Sequence, residues 1–203
     1  SINPLPSAIS RVSFSGDYGA IATQDRFIYI INSQGKIISH FPSNSRWIDS
    51  LSLSGNLLTA TDNDLTLWDK RGDTQANLTD DYPFSASLVT PDSQSLWTGN
   101  RQGMVKKWNL QTNHPKLQET LAAHPNQRII YLAITPDQKL LATTSEQGEI
   151  NLYDLQTLTP IYSLEKSSSP VNGLTFSPDS QQLAIVFGDG TIKLINIAQK
   201  LPI

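Results

Sequence analysis

One segment of this sequence occurs twice without gaps. TPDQKLLATTSEQGEINLYDL, from Thr135 to Leu155, returns as SPDSQQLAIVFGDGTIKLINI from Ser177 to Ile197. Each copy has a Ser/Thr-Pro-Asp turn, a short apolar strand, a second turn ending in glycine, and a strand in which apolar and polar residues alternate. A chain built from such copies folds as a repeat array, which constrains its architecture more than any single motif does.

Three less regular copies lie upstream of these two. The first turn of each copy contains a Ser or Thr, called its marker here: Ser15, Ser54, Thr90, Thr135 and Ser177. By subtraction of these positions, successive markers are 39, 36, 45 and 42 residues apart. The third strand of each copy also ends alike, in Ile31-Asn32, Trp68-Asp69, Trp108-Asn109, Tyr153-Asp154 and Ile195-Asn196. The sequence therefore predicts five copies of one structural unit.

These marks resemble the WD-repeat family, whose units end in Trp-Asp. The resemblance implies an all-β chain: a β-propeller of about five four-stranded antiparallel blades. It is expected to form one domain, with units at approximately 1–41, 42–79, 80–121, 122–165 and 166–203. The family usually has about seven blades, so the chain is either a five-bladed ring or part of a larger one. Only AQKLPI follows Ile197, and the N-terminal SINPL could supply the missing outer strand.

The residues support this fold class independently of the resemblance. Short segments such as FIYII, LTLWD and TIKLINI are rich in β-branched and aromatic residues, and several alternate with period two. Gly, Pro, Asn and Asp stand between them, where turns need them. In the fourth unit we expect strands near Ile129–Ile134, Lys139–Thr144, Glu149–Asp154 and Thr159–Glu165.

The composition excludes several classes of protein. Charged residues make up 16% of the chain and the net charge is -3, so a nucleic-acid partner is not expected. The chain has no cysteine, which excludes disulfides and thiolate zinc sites. Its longest apolar runs have the length of strands, which argues against a membrane partner. SINPLPSAIS has no signal-peptide pattern, so we expect a soluble, cytoplasmic protein.

No motif for catalysis, a cofactor or a metal is visible, so we predict that the chain is not an enzyme. His40, His114 and His124 lie in different units, without metal-site spacing. His124 matches the structural His of the WD-repeat family. Asp62-Asn63-Asp64 lacks the Gly and Glu of a calcium loop. Arg71-Gly72-Asp73 fits the hairpin turn after Trp68-Asp69.

What remains is binding. The resemblance implies that the loops leading into the inner strands surround one mouth of a channel, where partners dock. Counting back four to seven residues from the markers gives the rim residues: Arg11, Trp47, Asp49, Phe84, Arg128, Tyr131 and Asn172. Trp, Tyr and Arg dominate interface energetics, although Trp47 and Phe84 could equally pack between blades. We therefore predict a non-enzymatic scaffold that binds a protein or peptide at this rim.

Two alternatives stay open. The SPDSQQLA-type turns resemble those of WD repeats appended to bacterial signalling NTPases, proteases or kinases. The chain would then be a sensor or regulatory module, and its partners would include other domains of the same parent chain. The second alternative is a ligand-binding or enzymatic propeller with its site in the channel, which needs convergent polar side chains there.

Overall fold

The computed structural model describes residues 4–43, 48–55, 57–61, 64–112, 114–164 and 166–197. Within these ranges every regular element is a β-strand, and no α-helix occurs. The strands form five antiparallel sheets in which chain order is also spatial order, four sheets of four strands and one of three. The predicted all-β fold of propeller type is therefore confirmed, and each sheet is called a blade below.

The strands of each blade follow one another along the chain. Blade 1 contains β1 (Ile9–Ser15), β2 (Tyr18–Thr23), β3 (Phe27–Asn32) and β4 (Ile37–Pro42). Blade 2 contains β5 (Ser50–Ser54), β6 (Leu57–Thr61), β7 (Leu65–Asp69) and β8 (Thr74–Leu78). Blade 3 contains β9 (Phe84–Val89), β10 (Ser95–Asn100), β11 (Met104–Asn109) and β12 (Lys116–Ala122). Blade 4 contains β13 (Ile129–Ile134), β14 (Leu140–Ser145), β15 (Ile150–Asp154) and β16 (Pro160–Leu164), and blade 5 contains β17 (Val171–Phe176), β18 (Gln182–Phe187) and β19 (Ile192–Asn196).

In blades 3, 4 and 5 the marker residue closes the turn between the first two strands. In blade 3, Thr90 Oγ1 lies 2.6 Å from Asp92 Oδ1 and accepts a hydrogen bond from the Ser95 N–H at 3.0 Å. In blade 5 the hydroxyl of Ser177 accepts the same bond from Gln182 N–H at 2.9 Å. The recurring Ser/Thr-Pro-Asp pattern is thus a local turn device, which satisfies backbone groups between strands.

The Arg71-Gly72-Asp73 tripeptide forms the hairpin turn between β7 and β8, as predicted. Asp69 Oδ1 accepts hydrogen bonds from the N–H groups of Arg71 at 2.8 Å and Asp73 at 3.1 Å. Asp62-Asn63 lies outside the described residues.

The chain divides into two compact units, residues 1–98 with 107–118 and residues 99–106 with 119–203. Each unit has its own core. In the first, Ile28, Ile30 and Trp68 belong to one apolar cluster, while Leu65 and Phe84 belong to another. In the second unit, one cluster joins the apolar residues of blades 4 and 5.

Serine hydroxyls connect neighbouring inner strands in the first unit. Ser13 Oγ accepts a hydrogen bond from Leu53 N–H at 2.9 Å, and Ser52 Oγ accepts one from Val89 N–H at 3.0 Å. The inner strands β5 and β9 are edge strands of their sheets, so these hydroxyls satisfy backbone donors that a sheet edge would leave open. Small polar residues on the inner strands therefore have a structural role.

Blade 5 has three strands in the described part of the chain, in line with the short last unit of the sequence. Residues 4–8 do not form a strand, so within the described residues the N-terminal segment does not supply the fourth. Residues 1–3 and 198–203 lie outside the description. The single-domain arrangement and the choice between a complete and a partial ring stay predictions.

Candidate interaction site

The rim residues lie at the beginning of the inner strands, in two sets. The first compact unit contains Arg11 in β1 and Asp49 just before β5. The second contains Arg128 just before β13, Tyr131 in β13 and Asn172 in β17. Trp47 lies outside the described residues.

Two equivalent hydrogen bonds connect rim residues of adjacent blades. Arg11 Nε donates to the backbone oxygen of Asp49 at 3.0 Å, and Tyr131 Oη donates to the backbone oxygen of Asn172 at 2.8 Å. Arg11 and Tyr131 each stand four residues before their marker, whereas Asp49 and Asn172 each stand five before theirs. The same repeat position therefore makes the same bond in both units, through two different side chains.

The same position in blade 2 also bonds to the next blade, and the sequence reasoning missed it; its partner Ser87 stands three residues before the marker and not five. Ser50, four residues before its marker, donates from Oγ to the backbone oxygen of Ser87 at 3.2 Å and accepts from Ser87 N–H at 3.0 Å. Its offset from the marker is the signal that could have found it. The side chain at this position is therefore small in blade 2 and large in blades 1 and 4.

The rim residues differ in how much of each side chain reaches solvent. Arg11 and Asn172 are exposed, and Tyr131 and Arg128 are half-buried. Arg11 Nη1 also donates to the Ser10 carbonyl at 2.8 Å, which fixes the guanidinium at two points. The backbone of Arg128 is bonded to Glu146, with its N–H 3.2 Å from Oε1 and its carbonyl accepting the Glu146 N–H at 2.9 Å. The arrangement offers donors and aromatic surface for recognition.

Phe84 does not belong to the accessible rim. Its side chain is 0% exposed and lies in the cluster that contains Leu65, Leu67 and Leu96. The prediction that it contacts a partner is corrected here: packing within the core, the alternative for this residue, is what the structure shows. Burial of a large aromatic side chain stabilises the fold by about 1.5–3 kcal/mol, which explains an apolar residue at this place.

His124 is part of a buried polar network in blade 4, in agreement with the structural role predicted for it. The side chain is 0% exposed, with Nε2 2.8 Å from Thr143 Oγ1 and Nδ1 3.4 Å from Glu149 Oε2. Burial lowers the pKa of His124, because the protein interior disfavours the imidazolium ion. A hydrogen bond from Gln127, followed by the one from His124, lowers the pKa of Glu149.

We expect stability to fall as pH decreases from about 7.5 to 5.5. The unfolded chain protonates His124 near its ordinary pKa of 6.5, whereas the folded chain keeps it neutral to a lower pH. The unfolded state then binds more protons, so the free energy of unfolding decreases by up to about 1.4 kcal/mol for each pH unit. The lowered pKa of Glu149 acts only below its ordinary value of 4.5, outside this window.

Urea unfolding of the wild type and His124→Gln at pH 7.5 and 5.5 measures this effect. The glutamine variant, which keeps a hydrogen-bonding side chain, should lose much of the pH dependence. Equal slopes in the two proteins would contradict a neutral, buried His124.

A cleft of about 300 Å³ lies in the second unit, and its lining includes Asp137, Lys139 and Asp154. Both carboxylates already interact with residues of their own turns. Asp154 accepts hydrogen bonds from the N–H groups of Thr157 at 2.8 Å and Gln156 at 2.9 Å, which lower its pKa. Asp137 lies 3.4 Å from Lys139 Nζ, and its pKa is lowered, mainly by the Thr135 hydroxyl. Ionised groups committed to turns do not form an acid–base pair.

Metal ligands do not converge in the part of the chain that the structure describes: no three His, Asp or Glu side chains are placed to hold one ion. The described ranges also contain no helix of the length and apolarity needed to span a bilayer.

Part of the chain is similar to a known protein family. Residues 132–203 match the family model described as the WD40 domain of anaphase-promoting complex subunit 4. The matched segment begins within β13 and includes every later strand of blades 4 and 5. No curated protein sequence matches the chain.

Proposed function

We propose that this chain, a WD-repeat protein with propeller blades, is a non-enzymatic scaffold that binds a protein or peptide segment at its rim residues. WD40 domains commonly mediate protein interactions, which supports the general class. The observation that supports the site is the pair of equivalent bonds from Arg11 to Asp49 and from Tyr131 to Asn172. Each bond holds a large side chain at the start of an inner strand.

Fixing these side chains favours binding for an energetic reason. A flexible Arg or Tyr loses rotamer freedom when a partner immobilises it, at a cost of about 0.5–1.5 kcal/mol for each side chain. Arg11 is exposed, yet its guanidinium is bonded to two backbone carbonyls, so part of that cost is already met on folding. These bonds use only some of its N–H donors, and the others can serve a carboxylate or a backbone carbonyl of the partner.

The scaffold proposal also fits the way this chain uses its polar groups. The described carboxylates of the cleft close turns, and the buried His124 is held neutral within blade 4. A non-enzymatic role and a cytoplasmic location are both part of this proposal. The anaphase-promoting complex named by the matching family model is not carried over to this chain, because the match covers blades 4 and 5 only.

Peptide selection tests the proposal without a known partner. A random peptide library displayed on phage is selected against the immobilised 203-residue chain, and the Kd of each selected peptide is measured for the wild type, Arg11→Ala and Asn172→Ala. Loss of a desolvated Arg anchor costs about 2 kcal/mol or more, so we expect Kd to rise roughly 30-fold for one rim variant.

Arg71→Ala is the matched control, because the Arg71 side chain is 85% exposed but lies in the hairpin turn between β7 and β8. It should leave Kd unchanged, and all three variants should still unfold cooperatively, which shows that they are folded. Peptides that respond to Arg71→Ala and to neither rim variant would show that the binding surface lies elsewhere.

A further inference from the structure

One face of blade 5 exposes apolar side chains in a continuous patch. Ile192 is 67% exposed, Leu194 is 64% exposed and Val186 is 39% exposed. Val186 pairs with Ile192 across β18 and β19, and Ala184 pairs with Leu194, so these four residues point to the same side of the sheet. We call them the blade 5 face. Apolar surface concentrated in this way marks an interaction site more often than scattered exposed residues do.

Blade 4 shows what covers the same positions. Ile150 and Leu152 stand fifteen and seventeen residues after their marker, as Ile192 and Leu194 do after theirs. Both blade 4 residues are only 1% exposed, because they share a core cluster with Leu183 of blade 5. Ile192 and Leu194 of the blade 5 face therefore occupy the positions that, in blade 4, are buried against the next blade.

The second turn of each copy gives independent support. A Cβ at Gly148 would lie 2.9 Å from the Ser167 carbonyl oxygen, because the loop toward blade 5 passes over that turn. Gly190 occupies the equivalent place in blade 5, and no described atom lies within 4 Å of a Cβ there. Among the described residues, neither the sheet face nor the turn of blade 5 has the neighbour that blade 4 has.

Blade 1 exposes the complementary surface. Blade 5 packs against blade 4 through residues that include Leu174 and Phe176. Leu174 stands three residues before the marker Ser177, and Phe176 stands one residue before it. At the same offsets in blade 1 stand Val12, which is 53% exposed, and Phe14, which is 68% exposed. The part of this sheet around Ile21 and Tyr29 is packed against Leu5 and Phe27. We call Val12, Phe14 and the 54% exposed Ile9 the blade 1 face.

We propose that a second copy of this chain covers the blade 5 face with its blade 1 face. On blade 1, Val12 and Phe14 expose the positions through which blade 5 contacts blade 4. On blade 5, Ile192 and Leu194 expose the positions through which blade 4 contacts blade 5. Because the two surfaces differ, the contact is head-to-tail, and each added copy leaves one face of each kind to be closed or extended. None of the rim residues belongs to either face, although Arg11 stands between Ile9 and Val12 on β1.

Complementation of two variants tests the geometry. Ile192→Lys/Leu194→Lys blocks the blade 5 face and keeps the blade 1 face, whereas Val12→Lys does the reverse. By light scattering we expect the wild type to have at least twice the 22.4 kDa of one chain, and each variant alone to have the mass of one chain. An equimolar mixture of the variants should form a species of two chains that grows no further, since its remaining faces are both blocked.

Leu117→Lys is the control, because Leu117 is 49% exposed on β12 and belongs to neither face. It should associate as the wild type does. Cooperative urea unfolding of each variant verifies folding, with Leu194→Lys alone as the substitute if the double variant is unfolded. A mixture that stays monomeric while both variants are folded overturns the proposal.

A wild type that is monomeric at all concentrations also overturns it, and cysteine labelling then identifies the reason. The chain has no cysteine, so Ile192→Cys reports on the blade 5 face alone. Rapid labelling of that monomer would mean that the face awaits a partner of another sequence, and slow labelling that it is covered within one chain. We expect the cysteine of Ile192→Cys to be labelled slowly in the assembly. In the double variant Ile192→Cys/Val12→Lys, which should not associate, we expect it to be labelled rapidly.

Discussion

Phe84→Ala is expected to lower the free energy of unfolding by about 3–5 kcal/mol, because it removes a large buried ring and leaves a cavity. The ring is 0% exposed and belongs to one cluster with Leu65, Leu67 and Leu96. For a small domain this is a large fraction of the total stability. Urea unfolding monitored by circular dichroism measures it directly.

Tyr82→Ala is the matched control, since this aromatic residue stands two positions earlier and is 47% exposed. Its loss should change the free energy of unfolding by less than about 0.5 kcal/mol. If Phe84→Ala were as stable as Tyr82→Ala and instead weakened binding of the selected peptides, Phe84 would be a rim residue after all.

The fold could be predicted from the sequence because its information is local and repeated. The marker hydroxyl of Thr90 closes a turn within its own five-residue neighbourhood, and the same bond recurs at Thr135 and Ser177. In blade 4, β13 has the predicted bounds Ile129–Ile134, and β15 begins one residue later than predicted, at Ile150. Turn residues and alternation determine where strands begin and end, so neither requires knowledge of distant contacts.

The rim was harder to predict because an offset from the marker gives a position along a strand, and not the side that the residue faces. Phe84 stands six residues before its marker, and the equivalent Ile129 and Val171 are both buried. Next to these two positions the pairing register shifts, as in a β-bulge, before Tyr131 and Gly173. A bulge changes the alternation of faces, so residues in a window of four to seven positions do not share one environment.

A separate comparison of each offset would have favoured a core position for Phe84. The five copies place Ile9, Ile48, Phe84, Ile129 and Val171 six residues before the marker, and all five are apolar. Four of them are buried, whereas Ile9 is 54% exposed. Four residues before the marker, Arg11, Ser50 and Tyr131 are polar or amphipathic and bond to the next blade. Which of these bonds form depends on the spacing between two sheets, and that spacing is not encoded in any single copy.

The second turn of each copy gives the other large effect, which depends on how closely the next blade approaches. Gly103, Gly148 and Gly190 are equivalent and have positive φ angles of 81°, 80° and 87°. An alanine in this left-handed conformation costs about 1–2 kcal/mol at each of them. At Gly103 the added Cβ would also overlap the backbone carbonyl of His124, and that backbone has to move.

We therefore expect Gly103→Ala to lower the free energy of unfolding by about 3 kcal/mol or more. Moving the His124 backbone weakens the bonds that the Gly103 carbonyl accepts from Ala123 N–H at 3.0 Å and His124 N–H at 3.1 Å, each of which contributes about 0.5–1.5 kcal/mol. These losses add to the backbone strain.

Gly190→Ala supplies the control, because it carries the same strain with open space around the new methyl group. Its cost should stay at about 1–2 kcal/mol, and Gly148→Ala, with a carbonyl oxygen 2.9 Å from the Cβ, should fall between the two. Equal losses at all three positions would mean that backbone conformation alone requires these glycines. A graded series, Gly103 above Gly148 above Gly190, would instead measure how closely the neighbouring loop approaches each of the three turns.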